Sequence, residues 1–304
     1  RLLKKYPRTS YYLATKMPTW SLKSLDDAVK IFNEQLKNCQ VDYFDYYLCH
    51  ALNRHNYQVY LEKDVLDFLI QMKKEGKIKY LGFSFHDTPD TLKEILAIYD
   101  WDFVQIQLNY MDYSFQDAKT QYELIKEKNL PVIVMEPVRG GLLATLNEKS
   151  SAVLKAYHPN QSIASWAVRY AASFEQVMVV LSGMSNMIHT EDNIQSLTSF
   201  KPISKNEQQV IDQALNIFLE TKHIPCTSCE YCLPCPHGVD IPRMLAIYNR
   251  YHLTKNKMEL IREYHRFNED AKADKCIECG ICIDKCPQMI HIPQMMDELS
   301  KQIT

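Results

Sequence analysis

Cysteine is distributed very unevenly along this chain of 304 residues. Only Cys39 and Cys49 precede residue 226, and the other eight cysteines lie between Cys226 and Cys286. The N-terminal residues contain no signal-peptide apolar core, so we expect a cytoplasmic protein whose thiols stay reduced. Clustered reduced cysteines favour metal ligation over disulfide bonds. The pattern therefore predicts a metal-binding module at the C-terminal end of the chain.

The eight cysteines form two groups with nearly the same internal spacing. Three cysteines at every third position let one loop wrap a cube of iron and sulfide, and in bacterial ferredoxins a fourth cysteine, followed by proline, ligates the other cluster. By this logic one 4Fe-4S cluster is held by Cys226, Cys229, Cys232 and Cys286. The second is held by Cys276, Cys279, Cys282 and Cys235.

Structural zinc is the alternative for these cysteines. Zinc usually takes two separated cysteine pairs, and needs neither a third evenly spaced cysteine nor a trailing proline. Because only two residues separate Cys232 from Cys235, where the second group has three, the exchange of ligands and the number of clusters, one or two, stay open. Apolar residues at helical spacing between the groups predict a small all-α ferredoxin-type module that transfers electrons.

Short apolar runs alternate with longer helix-like stretches over the first 200 residues. This alternation predicts a parallel sheet in an α/β domain. The strand candidates are Tyr11–Lys16, Tyr43–Cys49, Tyr80–Phe85, Phe103–Leu108, Pro131–Met135 and Val177–Leu181. The helix candidates are Ser24–Asn38, Tyr57–Glu75, Thr88–Tyr99, Ser114–Lys128, Gln161–Ser173 and Thr190–Phe200.

The two faces of the predicted strands differ in polarity. In Phe103–Asn109, one face carries Val104, Ile106 and Leu108, and the other carries Gln105, Gln107 and Asn109 with Phe103. A strand in an open sheet covered on both sides should be apolar on both faces. The pattern favours a barrel of the (β/α)8 TIM type, with helices outside and a polar mouth, over an open doubly wound sheet.

Composition and hydropathy limit the function classes. A net charge of -2 gives no reason to expect nucleic acid as a partner, and no apolar run approaches the ~20 residues that would cross a membrane. We divide the chain into a barrel over residues 1–203, a connecting helix over 204–222 and the ferredoxin-type module over 223–304.

Six sequence motifs occur in order at barrel spacing. They are LATKMP (13–18), LCHAL (48–52), GFSFHD (82–87), VQIQLNYMD (104–112), MEPVRGGLLA (135–144) and LSGMSN (181–186). Together they resemble the aldo/keto reductase superfamily. With the cysteine groups, the chain is similar to the branch that is fused to a C-terminal 4Fe-4S ferredoxin domain.

The resemblance implies an NADPH- or NADH-dependent reaction on a small carbonyl or alcohol substrate. In the family a Tyr protonates the carbonyl oxygen, a Lys supported by an Asp lowers the pKa of that Tyr, and a His orients the carbonyl. Lys16 and His50 match the Lys and the His. The family's Asp and Tyr belong to two βα units that would precede residue 1, so we expect an N-terminally truncated barrel that is inactive by itself.

The resemblance also implies cofactor contacts. Ser84 and Gln105 match residues that bond the nicotinamide carboxamide, and Glu136 occupies a position where an aromatic side chain often stacks on the nicotinamide. Gly140 and Gly141 match a loop that faces the pyrophosphate, with an ordinary turn as the alternative. The adenosine side is matched by Gly183, Met184, Ser185 and Asn193. Positions 183 and 189 lack the Lys or Arg that pairs with a 2′-phosphate in many relatives, so the choice between NADPH and NADH stays open.

Two functions follow as hypotheses. The first is an NAD(P)-dependent oxidoreductase whose clusters relay electrons to a redox partner, a flavoprotein or a ferredoxin. The second is an electron-carrier or interaction subunit with a catalytically degenerate barrel. His86, at the end of a polar strand face, is a candidate for either substrate contact or structural hydrogen bonding.

Overall fold

The computed structural model describes residues 3–198, 200–221 and 223–303. The predicted domain limits at Arg1, Lys222 and Thr304, and Ser199 in the predicted helix Thr190–Phe200, lie outside these residues. The chain divides into two compact units, the first made of Arg1–Pro137 and Ala171–Gly183 and the second of Val138–Tyr170 and Met184–Thr304.

A six-stranded parallel sheet forms the centre of the first unit. Its strands are β1 (Ala14–Met17), β2 (Phe44–Leu52), β3 (Ile78–Phe85), β4 (Phe103–Gln107), β5 (Val132–Met135) and β6 (Val177–Val180). They pair in the order β1-β2-β3-β4-β5-β6, without the reversal of strand order that defines a doubly wound sheet. The sheet is therefore of the barrel type, as predicted, and each of the six predicted strands is confirmed.

Helices connect the strands of the first unit. They are α1 (Leu25–Cys39), α2 (Gln58–Glu62), α3 (Val65–Lys74), α4 (Pro89–Ile98), α5 (Asp112–Phe115) and α6 (Ala118–Glu127). Ser24 and Asp27 form a reciprocal capping box at the start of α1. The predictions of single helices over 57–75 and 114–128 are wrong, because Asp64 and Asp117 adopt left-handed backbone conformations that interrupt each helix.

The two faces of the sheet have the different roles that the strand pattern predicts. Val104 and Ile106 belong to a large core in which side chains of α1, α3, α4 and α6 cover one face of the sheet. Leu48, Phe103 and Ile133 form a smaller apolar cluster on the opposite face, with Tyr46 packed against it. The polar side chains of the strands lie on this second face, toward the carboxyl ends of the strands.

Gly82 allows the side chain of Phe103 to lie close to β3 on the second face of the sheet. A Cβ atom at this position would lie 2.4 Å from the carbonyl oxygen of Phe103 and 2.8 Å from its ring. Phe103 is the register partner of Gly82 on β4, so its ring covers the glycine directly. Only glycine allows β3 and β4 to pair here with the Phe103 ring in place.

Every regular element in the described residues of the second unit is a helix. Its helices are α7 (Glu148–Tyr157), α8 (Ile163–Ala172, which ends in the first unit), α9 (Met187–Thr198), α10 (Lys205–Leu219), α11 (Ile241–Thr254), α12 (Lys257–Tyr264), α13 (Ile281–Asp284) and α14 (Ile292–Ile303). The predicted connecting helix corresponds to α10, while α7 was not predicted. Met244, Tyr248 and Met296 belong to a separate core around the cysteine-bearing segments, which confirms the all-α module.

None of the described helices is long and apolar enough to span a membrane.

Candidate functional site

Three basic side chains lie at the carboxyl ends of neighbouring strands in the first unit. Lys16 is the next-to-last residue of β1, His50 is near the end of β2, and His86 follows β3. The strands are parallel, and β1 pairs with β2 and β2 with β3, so the three residues share one edge of the sheet. Barrels of this type carry their chemistry at this edge.

Burial and mutual repulsion disfavour the protonated forms of these three side chains and so lower their pKa values. Burial lowers the pKa of Lys16 to about 8. Burial, together with the charge of Lys16, lowers the pKa of His50 to about 4. The same causes, with the addition of His50, lower the pKa of His86 to about 3. At neutral pH the edge therefore holds one ammonium group and two neutral imidazoles.

The buried hydroxyl of Tyr60, on α2, holds the ends of β1 and β2 together. It accepts a hydrogen bond from the backbone N–H of His50 at 3.1 Å and donates one to the carbonyl of Met17 at 2.8 Å. The Thr19 hydroxyl donates to the carbonyl of His50, and Gln35 on α1 donates to the carbonyl of Lys16 at 2.8 Å. Sequence analysis did not identify these supporting residues, because their partners are between 10 and 43 residues away.

Trp20 lies against the imidazole of His50. The ring centroids are 4.9 Å apart at 56°, and Trp20 is largely exposed in the segment between β1 and α1. An exposed indole beside a histidine at this edge forms an apolar wall on one side of the imidazole. The sequence signal was present in the TKMPTW segment, but a single tryptophan could not be assigned to the site from its position alone.

Ser84 and Gln105, the predicted carboxamide ligands, are register partners on β3 and β4. Both are buried. The Ser84 hydroxyl oxygen accepts a hydrogen bond from the N–H of Ala51 at 2.8 Å, and the Gln105 amide donates to the Met135 sulfur at 3.0 Å. Ser84 keeps its own O–H for donation, and Gln105 keeps its amide oxygen as an acceptor.

A buried polar network fixes the backbone at Glu136. The amide of Asn109 donates to the carbonyl of Glu136 at 2.9 Å and to the carboxylate of Asp112 at 2.6 Å. Gln107 donates to the same carboxylate at 2.6 Å. Glu136 itself has a left-handed backbone, with φ 56°, which this network stabilises. Asn109 and Asp112 are part of the VQIQLNYMD motif, and their positioning role was not predicted.

The residues predicted for the adenosine side are mostly exposed. In the first unit, Gly183 has open space where a Cβ atom would point. In the second unit, Met184 is exposed, Ser185 lies 3.4 Å from the His189 ring, and Asn193 is half-buried on α9. Exposed polar groups of this kind leave room for a ligand without determining its identity.

Gly140 and Gly141 both have positive φ angles, of 61° and 92°. A Cβ atom on Gly140 would lie 2.6 Å from the carbonyl oxygen of Thr227, whereas one on Gly141 would meet nothing within 4 Å. The close backbone approach that Gly140 permits is therefore to the cysteine-bearing segment that contains Cys226 and Cys229.

The first set of thiols, those of Cys226, Cys229, Cys232 and Cys286, comes from both cysteine segments. Burial raises the pKa of Cys232 to about 12, with further contributions from Cys229, Cys226 and Cys286. Backbone N–H groups donate to the sulfurs of this group, from Ser228 to Cys226 at 3.4 Å and from the residues that follow Cys286 to Cys286. Such N–H donors stabilise thiolates and tune iron–sulfur clusters.

The second set of thiols lies around one apolar cavity. Its lining includes Cys235, Cys276, Cys279 and Cys282, and also Cys232. Burial raises the pKa of Cys282 to about 11, and its neighbouring thiols are Cys276, Cys279 and Cys235. The thiols that influence one another's pKa are thus Cys226, Cys229, Cys232 and Cys286 in one set, and Cys282 with Cys276, Cys279 and Cys235 in the other. No three His, Cys, Asp or Glu side chains of the described residues are arranged to hold a single metal ion.

The strand order and the clustered thiols define a barrel-type α/β domain followed along the chain by a cysteine-rich helical module. The model of the aldo/keto reductase family matches residues 1–216, and that of the 4Fe-4S dicluster domain matches residues 225–290. The chain therefore belongs to the aldo/keto reductase family and carries a 4Fe-4S domain, which favours iron–sulfur over zinc.

Individual proteins are similar to this chain. L-galactose dehydrogenase of Arabidopsis thaliana is 24% identical over 221 residues, covering 66% of this chain and 68% of that protein. The holo form of the aldo-keto reductase AKR11C1 from Bacillus halodurans superposes with a TM-score of 0.57 at 25% identity, over 69% of this chain and 74% of that one. An aldo-keto reductase from Klebsiella pneumoniae in complex with NADPH has the same fold, with a TM-score of 0.56 at 19% identity over 69% and 71% of the two chains.

Proposed function

We propose that this protein is an NAD(P)-dependent oxidoreductase for a small carbonyl or alcohol substrate, in which the iron–sulfur module transfers electrons to or from a redox partner. The observation that carries the proposal is the position of Lys16 and His50 beside each other at the site. They lie on adjacent strand ends, and both have strongly lowered pKa values. Perturbed titratable groups at the catalytic edge of a barrel mark functional sites.

The nicotinamide supplies a hydride to the substrate carbon when the cofactor is bound. His50, neutral above about pH 4, donates a ring N–H to the carbonyl oxygen without losing its proton. Lys16, with a pKa of about 8, is mainly an ammonium at pH 7 and stabilises the negative charge that develops on that oxygen. Trp20 forms an apolar wall beside His50 and limits the orientation of the substrate.

We assign the nicotinamide to the same strand ends. The O–H of Ser84 and the amide oxygen of Gln105 are complementary to a carboxamide, which has one acceptor and one donor group. We assign the pyrophosphate side to Gly140 and Gly141, and the adenosine side to Gly183, Met184, Ser185 and Asn193. The stacking position is taken by Glu136, whose backbone the Asn109 network fixes. Positions 183 and 189 carry no permanent positive charge, so we expect NADH to bind as well as NADPH.

We assign two 4Fe-4S clusters to the two sets of four thiols. The donor set fits, because thiolates are the usual ligands of such clusters and each set contains four. A hydride carries two electrons, whereas a cluster carries one. Direct coupling therefore needs a two-to-one converter, and we assign that role to a partner flavoprotein, with a ferredoxin as the one-electron partner.

Proton transfer to the substrate oxygen needs an acid that Lys16 and His50 do not supply. The family resemblance implies that this acid is a tyrosine, and that the tyrosine and the supporting aspartate belong to two further βα units. We therefore expect residues 1–304 by themselves to bind cofactor and clusters but to turn over no substrate.

Anaerobic purification followed by nucleotide titration tests this function. We expect iron, acid-labile sulfide and an absorption band at about 400 nm, together with a change in nicotinamide fluorescence on binding of NADPH or NADH. Lys16→Met and His50→Asn should leave the iron content unchanged. Iron and sulfide without any nucleotide binding would favour the electron-carrier alternative, and protein without iron would contradict both functions.

A further inference from the structure

We infer that the turn at residues 138–141, which the family model assigns to the reductase domain, is a structural part of the first cluster site. Arg139 and Gly140 are then positioning residues for the cluster held by Cys226, Cys229, Cys232 and Cys286. The inference deepens the proposed function and rests on its assignment of two clusters. The turn and both cysteine segments belong to the same compact unit.

Gly140 contacts the first ligand segment. A Cβ atom there would lie 2.6 Å from the carbonyl oxygen of Thr227 and 3.0 Å from its Cα atom. Thr227 directly follows Cys226 and precedes Cys229 by two positions. The obstructing atoms are backbone atoms, so no rotation of a side chain can relieve the contact. Any larger residue at position 140 must displace the loop that carries three of the four thiols.

Arg139 contacts the second ligand segment. Its side chain is fully buried, and its Nη2 donates to the side-chain oxygen of Gln288 at 3.1 Å. Gln288 is also buried, and its backbone N–H is one of those that donate to the Cys286 sulfur. The guanidinium therefore helps to hold the residue whose backbone orients the fourth thiol.

The two contacts make the cluster sites unequal. Both chain segments that bring thiols to the first set contact one turn from outside the ferredoxin-type module. The cavity of the second set is lined entirely by residues between Cys232 and Met296, which all belong to that module. The first cluster thus depends on residues 138–141, and the second cluster does not.

The variant Gly140→Ala in the full chain tests this dependence, with Gly141→Ala as the matched control. Both positions have a positive φ, so both substitutions carry similar backbone strain, but only the Cβ at position 140 meets protein atoms. We expect about eight iron atoms per chain in the wild type and in Gly141→Ala, and about four in Gly140→Ala. EPR of the reduced proteins should show that Gly140→Ala and Cys226→Ala lose the same cluster signal.

Wild-type iron content and both unchanged EPR signals in Gly140→Ala would overturn the inference. If that variant does not fold, Gln288→Met decides, because it removes the acceptor of Arg139 at nearly constant volume and leaves the backbone N–H in place. We expect Gln288→Met to change the EPR signal and reduction potential of the cluster that Cys226→Ala removes, and an unchanged signal would contradict the inference. A wild-type protein that contains no iron would refute the proposed function instead.

Discussion

The phenolic oxygen of Tyr60 lies 3.1 Å from the backbone nitrogen of His50, and His50 donates a hydrogen bond to it. The same oxygen donates to the carbonyl of Met17, the residue after Lys16. One buried hydroxyl thus fixes the spacing between the two strand ends that carry the proposed catalytic groups.

Replacing Tyr60→Phe removes this hydroxyl and leaves a buried N–H and a buried carbonyl without that partner. We expect the free energy of unfolding to fall by about 1–3 kcal/mol. Urea denaturation measures the loss. The control is Tyr57→Phe, which removes a hydroxyl that bonds the exposed Glu94 at 2.9 Å and should lower the free energy of unfolding by less than Tyr60→Phe does. Equal losses in the two variants would contradict the bridging role of Tyr60.

Lys16 should make stability depend on alkaline pH. Because its pKa falls from 10.5 in the unfolded chain to about 8 in the folded protein, the unfolded chain binds more protons between these values. The folded state is therefore penalised below pH 8, and the penalty disappears as the pH rises to 10.5. Lys16→Met should raise the free energy of unfolding at pH 7 by up to about 3 kcal/mol, with no gain above pH 10.5.

Denaturant unfolding at several pH values between 7 and 10.5 measures this difference. Lys30→Met, at an exposed position of α1, provides the control and should show no such trend. A stability difference between Lys16→Met and wild type that does not change with pH would argue against a buried ammonium at this site.

Glu207 should stabilise the second unit through its charge. Although burial acts to raise it, hydrogen bonds from Arg169 and Ser204 lower the pKa of Glu207 to about 2. The stabilisation is complete above pH 4.5 and is lost as the pH falls toward 2. Glu207→Gln keeps a capping side chain for α10 but loses the ion pair with Arg169 at 2.8 Å, and should cost about 1–3 kcal/mol at pH 7.

Thermal unfolding at pH 7 and at pH 3 checks the effect, since the difference between the variant and the wild type should be smaller in acid. Asp27→Asn is the comparison, because Asp27 makes the corresponding capping box at α1 and is less buried than Glu207. We expect a smaller loss of stability there. A cost at position 207 that persists unchanged at pH 3 would rule out the charge as its cause.

The exchange of ligands between the two cysteine segments has a direct spectroscopic test. Cys286→Ala and Cys226→Ala should remove or convert the same cluster, and Cys235→Ala and Cys282→Ala the other one. EPR of the four reduced variants distinguishes the two clusters. If Cys235→Ala instead matched Cys226→Ala, each segment would hold its own cluster and the exchanged arrangement would be wrong.

The sheet was predictable because strand alternation and period-2 polarity are local properties. Val104 and Ile106 face the helices and Gln105 faces away from them, as the residue pattern alone required. Helix breaks at Asp64 and Asp117 were not predictable, because a left-handed aspartate leaves the apolar periodicity on either side intact.

The candidate site was predictable only in part. Lys16 and His50 could be identified because each ends one face of a strand. Gly140 shows the limit, since its glycine could be predicted but its close approach to the Thr227 backbone could not. That contact joins positions 87 residues apart, and no local pattern contains it.

The contact between Gly140 and Thr227 has a consequence for how the chain can vary over evolution. A reductase without the iron–sulfur module has no Thr227 backbone to accommodate, so position 140 is released from this particular constraint. Once the module is attached, a side chain at position 140 is excluded by a partner encoded far downstream. The fused domains would then be inherited as one unit rather than exchanged as independent parts, and transplanting the module onto another barrel would require transplanting this glycine as well.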